Sequence, residues 1–154
     1  MTHPAEPTAP LILDGGALSL EDVLDVTQRR RRVTLSTAPE FRARIERGQR
    51  FLARLLKEDG VVYGVTTGYG DACTRPVAHQ DIDDLPRQLY TFHGCGMGQI
   101  LDIEAARAVV LVRLVSLCQG VSGVSFELLE RLAWLLEHDA VPVIWATPIL
   151  LVRK

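Results

Sequence analysis

The chain has 154 residues, 47% hydrophobic and 23% charged, and its 17 Lys and Arg against 19 Asp and Glu leave a formal net charge of -2. That balance is too apolar and too weakly charged for an intrinsically disordered chain, and too near neutral for one whose affinity comes from phosphate backbones. It fits one soluble domain, since a chain of about 150 residues removes roughly 70% of its unfolded surface from water on folding.

Residues 1–10, with three prolines and no periodicity, read as a loose arm. They lack the basic and apolar regions of a signal peptide. Cys73, Cys95 and Cys118 have no framework spacing, so the chain is expected in the cytoplasm with reduced thiols. Leu11-Ile12-Leu13 reads as a short strand turned by Asp14-Gly15-Gly16. Ser19 then precedes Leu20-Glu21-Asp22, placing a hydroxyl at an N-cap and carboxylates in the first turn of a helix from Leu20 to Thr27. The arginine run Arg29 to Arg32 has no interleaved aromatics in a chain of net negative charge. It reads as a solvated face or as carboxylate partners, and no nucleic acid is expected.

Phe41, Ile45, Gly48, Leu52 and Leu55 recur at steps of four and three with arginines and glutamates on the other face. This predicts an amphipathic helix from Pro39 to Glu58. Val61 to Gly70 breaks that pattern with β-branched residues, three glycines and two tyrosines, predicting a short extended piece that enters a glycine-shaped loop. Asp81 to Phe92 returns to helix, with a turn at Pro86, before the glycine-dense bend His93 to Gly98. Ile103 to Cys118 is apolar almost all round and reads as a helix buried in a larger helical assembly. Ser125 caps a last helix through Glu137. Arg107, Arg113 and Gln119 interrupt the most apolar stretch, and the uncharged tail from Ala140 to Val152 is only 13 residues long. Neither is a membrane span, which needs about 20 apolar residues.

Four constellations could carry chemistry. Gly64 to Gly70 could cradle a phosphate, but the P-loop Lys and Ser/Thr are absent and no β-α-β pattern surrounds it. Cys73, His79, His93 and Cys95 have zinc-ligand types at spacings that match no paired-ligand pattern, so no metal is expected. Cys95 with His93 or His79 lacks a third group to orient the histidine for nucleophilic catalysis. Tyr63 and His93, each followed by glycine, could form an active-site wall. A phenol acts as a base only if its pKa, near 10 unperturbed, is pulled down by positive charge or hydrogen-bond donors. On the residues alone, two partly buried side chains with satisfied polar tips remain the simpler account.

The loop Tyr63-Gly64-Val65-Thr66-Thr67-Gly68-Tyr69-Gly70 resembles the tyrosine loop of the aromatic amino acid ammonia-lyases, the group of histidine, phenylalanine and tyrosine ammonia-lyases and related aminomutases. Leu13 to Ser19 is similar to the opening segment of that family, Phe92 to Gly98 to its substrate-selectivity segment, and Ser116 to Val124 to the helix end that follows. The four motifs, in family order, cover residues 11–144. The resemblance implies a mainly α chain, the N-terminal part of the helical lyase fold, with short extended segments and Gly-rich loops.

It also implies roles. Such enzymes eliminate ammonia from an aromatic L-amino acid to give an arylacrylate, using the electrophile MIO formed from an internal Ala-Ser-Gly. By resemblance Tyr63 is the base, Phe92 and His93 contact the substrate ring, and Gly64, Gly68 and Gly70 shape the loop. Phe92 resembles the phenylalanine-using members and His93 the histidine-using ones, leaving phenylalanine, tyrosine and histidine open. Thr66 replaces the asparagine common in the family. No Ala-Ser-Gly occurs in the 154 residues, so no cofactor is expected in this chain, and residues 145–154 depart from the family pattern. The sequence reading is therefore of a lyase cut short before its electrophile and inactive alone. Family members are homotetramers, and the alternative is a non-catalytic partner that associates with a full-length lyase.

Overall fold

The computed structural model describes residues 9–58, 60–93 and 98–146, with the side chains of 92 and 93 outside that set. The fold is mainly α, and its order is β1 (Leu11–Leu13), α1 (Leu20–Thr27), β2 (Val33–Leu35), α2 (Pro39–Lys57), α3 (Leu85–His93), β3 (Gln99–Ile100), α4 (Ile103–Cys118), α5 (Phe126–Glu137) and β4 (Trp145–Ala146). Short 3-10 turns at Gly70–Thr74 and His79–Asp81 lie between α2 and α3. None of the described helices is long and apolar enough to cross a membrane.

The helix starts follow from local chemistry. Ser19 and Asp22 form a reciprocal capping box on α1, while Asp102 and Ser125 accept the Ala105 and Leu128 amides at the starts of α4 and α5. Pro39 sits at the first position of α2, where a missing N–H costs nothing. The same rule corrects the expected helix from Asp81 to Phe92: Pro86 lacks the N–H that a helix interior requires, so α3 begins at Leu85 and the residues before it make turns.

The core lies where α4, α5 and α1 pack beside the parallel pair of β1 and β2. Phe41 and Ile45 of α2, Leu111 and Leu114 of α4, and Leu129 and Leu136 of α5 fill it. Only one side of α4 is buried, in contrast to the expected all-round burial. Val109 and Val112 remain 47% and 56% exposed because no described element covers them. β3 and β4 pair antiparallel, which ties the first residues of the expected foreign tail into the fold.

Arg107 is the polar centre of this core. Its guanidinium donates to the Val26 carbonyl at 2.9 Å, to the Leu136 carbonyl at 3.0 Å and to the Asp139 carboxylate. Arg29 and Asp139, which follow the ends of α1 and α5, both take left-handed backbone, at φ 60° and 53°, and pair at 3.1 Å. The Arg30 amide reaches back to the Asp25 carbonyl and the Ala140 amide to the Leu135 carbonyl, closing both helix ends in the same motif. The arginine run has carboxylate partners: besides Arg29, Arg30 pairs with Asp25 at 2.7 Å and Arg31 with Asp22 at 2.6 Å.

Candidate active site

The loop that follows α2 is built by two threonines. The Thr66 hydroxyl accepts the Val62 amide at 2.8 Å and donates to the Gly60 carbonyl at 3.1 Å. The Thr67 hydroxyl accepts the Gly64 amide at 3.2 Å and donates to the Gly68 carbonyl at 3.1 Å, and the residue is buried. These local bonds compete with strand formation, so residues 63–66 form a turn where an extended piece was expected. The extended part comes later, where Gly68 and Val77 donate to the Arg75 and Thr66 carbonyls and Thr67 bridges Pro76.

This turn lifts Tyr63 out of the body of the protein, leaving it 64% exposed. The Gly70 amide donates to the Tyr63 hydroxyl at 3.1 Å, and the ring of Tyr69 meets that of Tyr63 edge-on, 6.4 Å between centroids. Gly64 makes this pairing possible. It has φ 71°, and a Cβ there would fall 2.8 Å from Cε1 of Tyr69. At Gly68 a Cβ would meet Ala72 at 2.8 Å, whereas Gly70, at φ 56°, has open space around it.

Tyr63 lines an open groove of about 980 Å³. Phe51, Leu52 and Leu55 of α2 supply its apolar part, the loop from Gln119 to Gly123 its far wall, and Arg44, Arg47, Arg50 and Arg54 a cationic row. These arginines recur at steps of three, three and four, which places them along one face of α2. Arg44 is anchored, donating to the Asp14 carbonyl and to the Cys118 carbonyl at 3.3 Å, while Arg50 and Arg54 reach Glu46 and Glu58 at 3.5 and 3.9 Å. The groove therefore holds a phenol with a backbone N–H on its oxygen, an apolar surface that suits an aromatic ring, and cations that suit a carboxylate. The sequence places these arginines with glutamates on the face of α2 opposite the apolar one, and their common spacing is the signal that they share a side.

The backbone of Phe92 and His93 closes α3, but the side chains of this expected ring-contacting pair lie outside the described residues, as does the bend from Gly94 to Met97. Cys73 is exposed in the 3-10 turn after Tyr69, and among the described residues no three His, Cys, Asp or Glu side chains converge as metal ligands.

Comparison with known proteins places these motifs in a shared lineage. A family model described as aromatic amino acid lyase matches residues 18–147. Histidine ammonia-lyase from Caldanaerobacter subterraneus is 35% identical over 134 residues, covering 87% of this chain and 26% of the relative. The enzyme of that name from Streptococcus gordonii is 36% identical over 132 residues, covering 86% and 25%. Among solved structures, ergothionase from Treponema denticola superposes with a TM-score of 0.81 at 30% identity over 92% of this chain and 28% of its own. Tyrosine aminomutase from Streptomyces globisporus superposes at 0.77 and 32% identity, over 84% and 24%. The chain spans about a quarter of the length of the curated relatives it matches.

Proposed function

Because the chain belongs to the aromatic amino acid lyase family, we propose that it carries the proton-abstracting part of a carbon–nitrogen lyase site. In the elimination, an aromatic L-amino acid loses its β-proton and its amino group, giving ammonia and an arylacrylate. Tyr63 takes the proton, with the Gly70 N–H directed at the phenol oxygen. Phe92 and His93 contact the ring by resemblance, and the substrate is phenylalanine, tyrosine or histidine. The family's MIO electrophile makes the amine a better leaving group. These 154 residues contain no Ala-Ser-Gly from which it forms, so that part of the chemistry does not belong to them. The polypeptide alone is accordingly inactive.

The observation that carries this reading is the placement of Tyr63 on a threonine-braced turn, facing an apolar groove edged by arginines, within the matched region. The test is a chimera in which residues 11–144 replace the aligned region of the Caldanaerobacter relative. Arylacrylate formation from one of the three amino acids is expected, and the preferred one identifies the substrate. A folded, tetrameric chimera that is inactive on all three overturns the proposal, and so does ammonia release by the 154-residue protein alone.

A second reading, association with a full-length lyase, is favoured by the open face of α4 at Val109 and Val112. Co-expression with an intact lyase followed by size-exclusion chromatography tests it, and separate elution at all concentrations counts against it.

A further inference from the structure

Between residues 61 and 80, Thr67 is the one buried residue, 5% exposed in a loop whose other described residues are half-buried or exposed. Its main chain is held from both sides. The Thr66 carbonyl accepts the Val77 amide at 2.9 Å and the Gly68 amide donates to the Arg75 carbonyl at 3.1 Å, so Thr67 is pinned against residues 75–77. A side chain held in this way is a fixed post for whatever its hydroxyl bonds.

The two bonds of that hydroxyl fall on two particular peptide groups. It accepts the Gly64 amide at 3.2 Å, the N–H of the peptide that follows Tyr63, and donates to the Gly68 carbonyl at 3.1 Å, the C=O of the peptide that precedes Tyr69. Each peptide unit is planar, so holding one of its polar groups orients the whole unit. The first bond sets the direction in which the chain leaves Tyr63. The second sets Tyr69, whose ring meets that of Tyr63 edge-on, and with it Gly70, whose amide donates to the Tyr63 hydroxyl at 3.1 Å. Thr66 makes no such link, because its hydroxyl bonds Gly60 and Val62, both before Tyr63.

Packing alone does not fix the phenol. Tyr63 is 64% exposed, and the glycines at 64, 68 and 70 add backbone freedom on the side where its partners lie. Proton transfer needs the reacting atoms about 3–3.5 Å apart, and a displacement of about 1 Å costs about a hundredfold in rate. We infer that Thr67, itself outside the groove lining, is a positioning residue for the lyase reaction: its hydroxyl holds Tyr63 and the Gly70 amide in the arrangement in which the phenol takes the β-proton. The inference rests on the reading of Tyr63 as the base.

The test uses the active chimera that carries residues 11–144. Thr67→Val, which keeps the shape of the side chain and removes its hydroxyl, is expected to lower kcat by about ten- to a hundredfold with KM within about threefold of the parent. Thr67→Ser, which keeps the hydroxyl, should retain most of kcat. In a Tyr63→Phe background, Thr67→Val should lower the remaining rate by less than about threefold, because Thr67 acts through that phenol; a hydroxyl that only stabilised the fold would lower both backgrounds alike. In the 154-residue protein, Thr67→Val should weaken the nuclear Overhauser contacts between the rings of Tyr63 and Tyr69 while those between Phe41 and Phe126 persist. An unchanged kcat in Thr67→Val, a serine variant as impaired as valine, equal losses in both backgrounds, or Tyr63–Tyr69 contacts that persist in the valine variant each overturns the inference. An inactive parent chimera or an unimpaired Tyr63→Phe overturns the base reading and this inference with it, whereas a disabled Tyr63→Phe beside an unimpaired Thr67→Val overturns this inference alone. If valine prevents folding, Thr67→Ala, which removes the hydroxyl without filling its place, takes its part in every comparison.

Discussion

Gly48 of α2 and Gly120 of the loop after α4 meet backbone to backbone: a Cβ on Gly48 would stand 2.4 Å from the Gly120 carbonyl oxygen. Both residues line the Tyr63 groove, so this contact sets how closely its walls approach. Alanine for glycine inside a helix ordinarily gains about 1 kcal/mol. Here the obstruction is backbone, which cannot swing aside, and overpacking costs about 1–3 kcal/mol. The net cost is at most about 2 kcal/mol, so Gly48→Ala is expected to lower the melting temperature by up to about 8 °C. A rise measured by differential scanning calorimetry would show that α2 has room to shift.

Arg107, 4% exposed, joins the ends of α1 and α5 through two main-chain carbonyls and the Asp139 carboxylate. Burial works to lower its pKa and the Asp139 charge opposes that, so the cation depends on these partners for its place in the core. Replacing it with methionine keeps the volume but leaves the two carbonyls without their charged donor, a loss of about 3 kcal/mol. Arg107→Lys recovers less than half, because the three N–H groups of an ammonium radiate from one nitrogen and do not span acceptors that the guanidinium reaches from Nη1 and Nη2. Urea unfolding of both variants checks the order. If methionine equals or exceeds the parent in stability, the cluster is dispensable.

The helices were legible because their signals are local. Ser19 and Ser125 mark starts, and the recurrence of Phe41, Ile45, Leu52 and Leu55 marks a buried face. Of the strands, β1 at Leu11–Leu13 was legible as an apolar triplet before a turn, and the others were not. β3 and β4 have two residues each, too few to show a period, and β2 follows directly on an arginine run that drew the eye to charge. Arg107 read as an interruption of an apolar stretch because its acceptors, Val26 and Leu136, are 81 and 29 residues away. For the site, glycines and resemblance located Tyr63. Periodicity showed that the α2 arginines share a side, but the groove opposite them is a tertiary property.

Cysteine chemistry separates two environments. Cys118 is fully buried, and burial pushes its thiol up to about 11, against an ordinary 9.0. At pH near 8 that shift leaves roughly a hundredfold less thiolate, before access is considered. Iodoacetamide should therefore label exposed Cys73 within minutes and spare Cys118 until the protein unfolds. Site-resolved mass spectrometry reads both, and comparable rates at the two positions would place Cys118 at the surface.

The cap of α1 predicts acid sensitivity. Hydrogen bonds from the Ser19 hydroxyl and amide, with the nearby Arg31 charge, hold the Asp22 carboxyl below its ordinary 3.8. A depressed native value means that unfolding takes up protons in acid. The stabilisation is complete above the unfolded value and is lost as pH falls through the native one. Urea midpoints followed downward from neutral pH should decline below the ordinary carboxylate value, and Asp22→Asn should flatten that part of the curve. An unchanged acid slope in the variant would assign the sensitivity to other carboxylates.

Tyr63 and Tyr69 share an edge-on ring contact, but only Tyr63 carries the hydroxyl that the Gly70 amide meets. The two phenols should therefore respond differently in the active chimera. Tyr63→Phe removes the proton acceptor and should lower kcat by at least about a hundredfold, the range that a general base supplies, with KM little changed. Tyr69→Phe keeps the ring against Tyr63 and above Gly64, so activity should stay within about tenfold of the parent. Both hydroxyls lie outside the main core, and neither variant should move the melting temperature by more than a few degrees. Equal losses in the two variants would mean that the ring pair acts only as a scaffold, and that the proton leaves by another group.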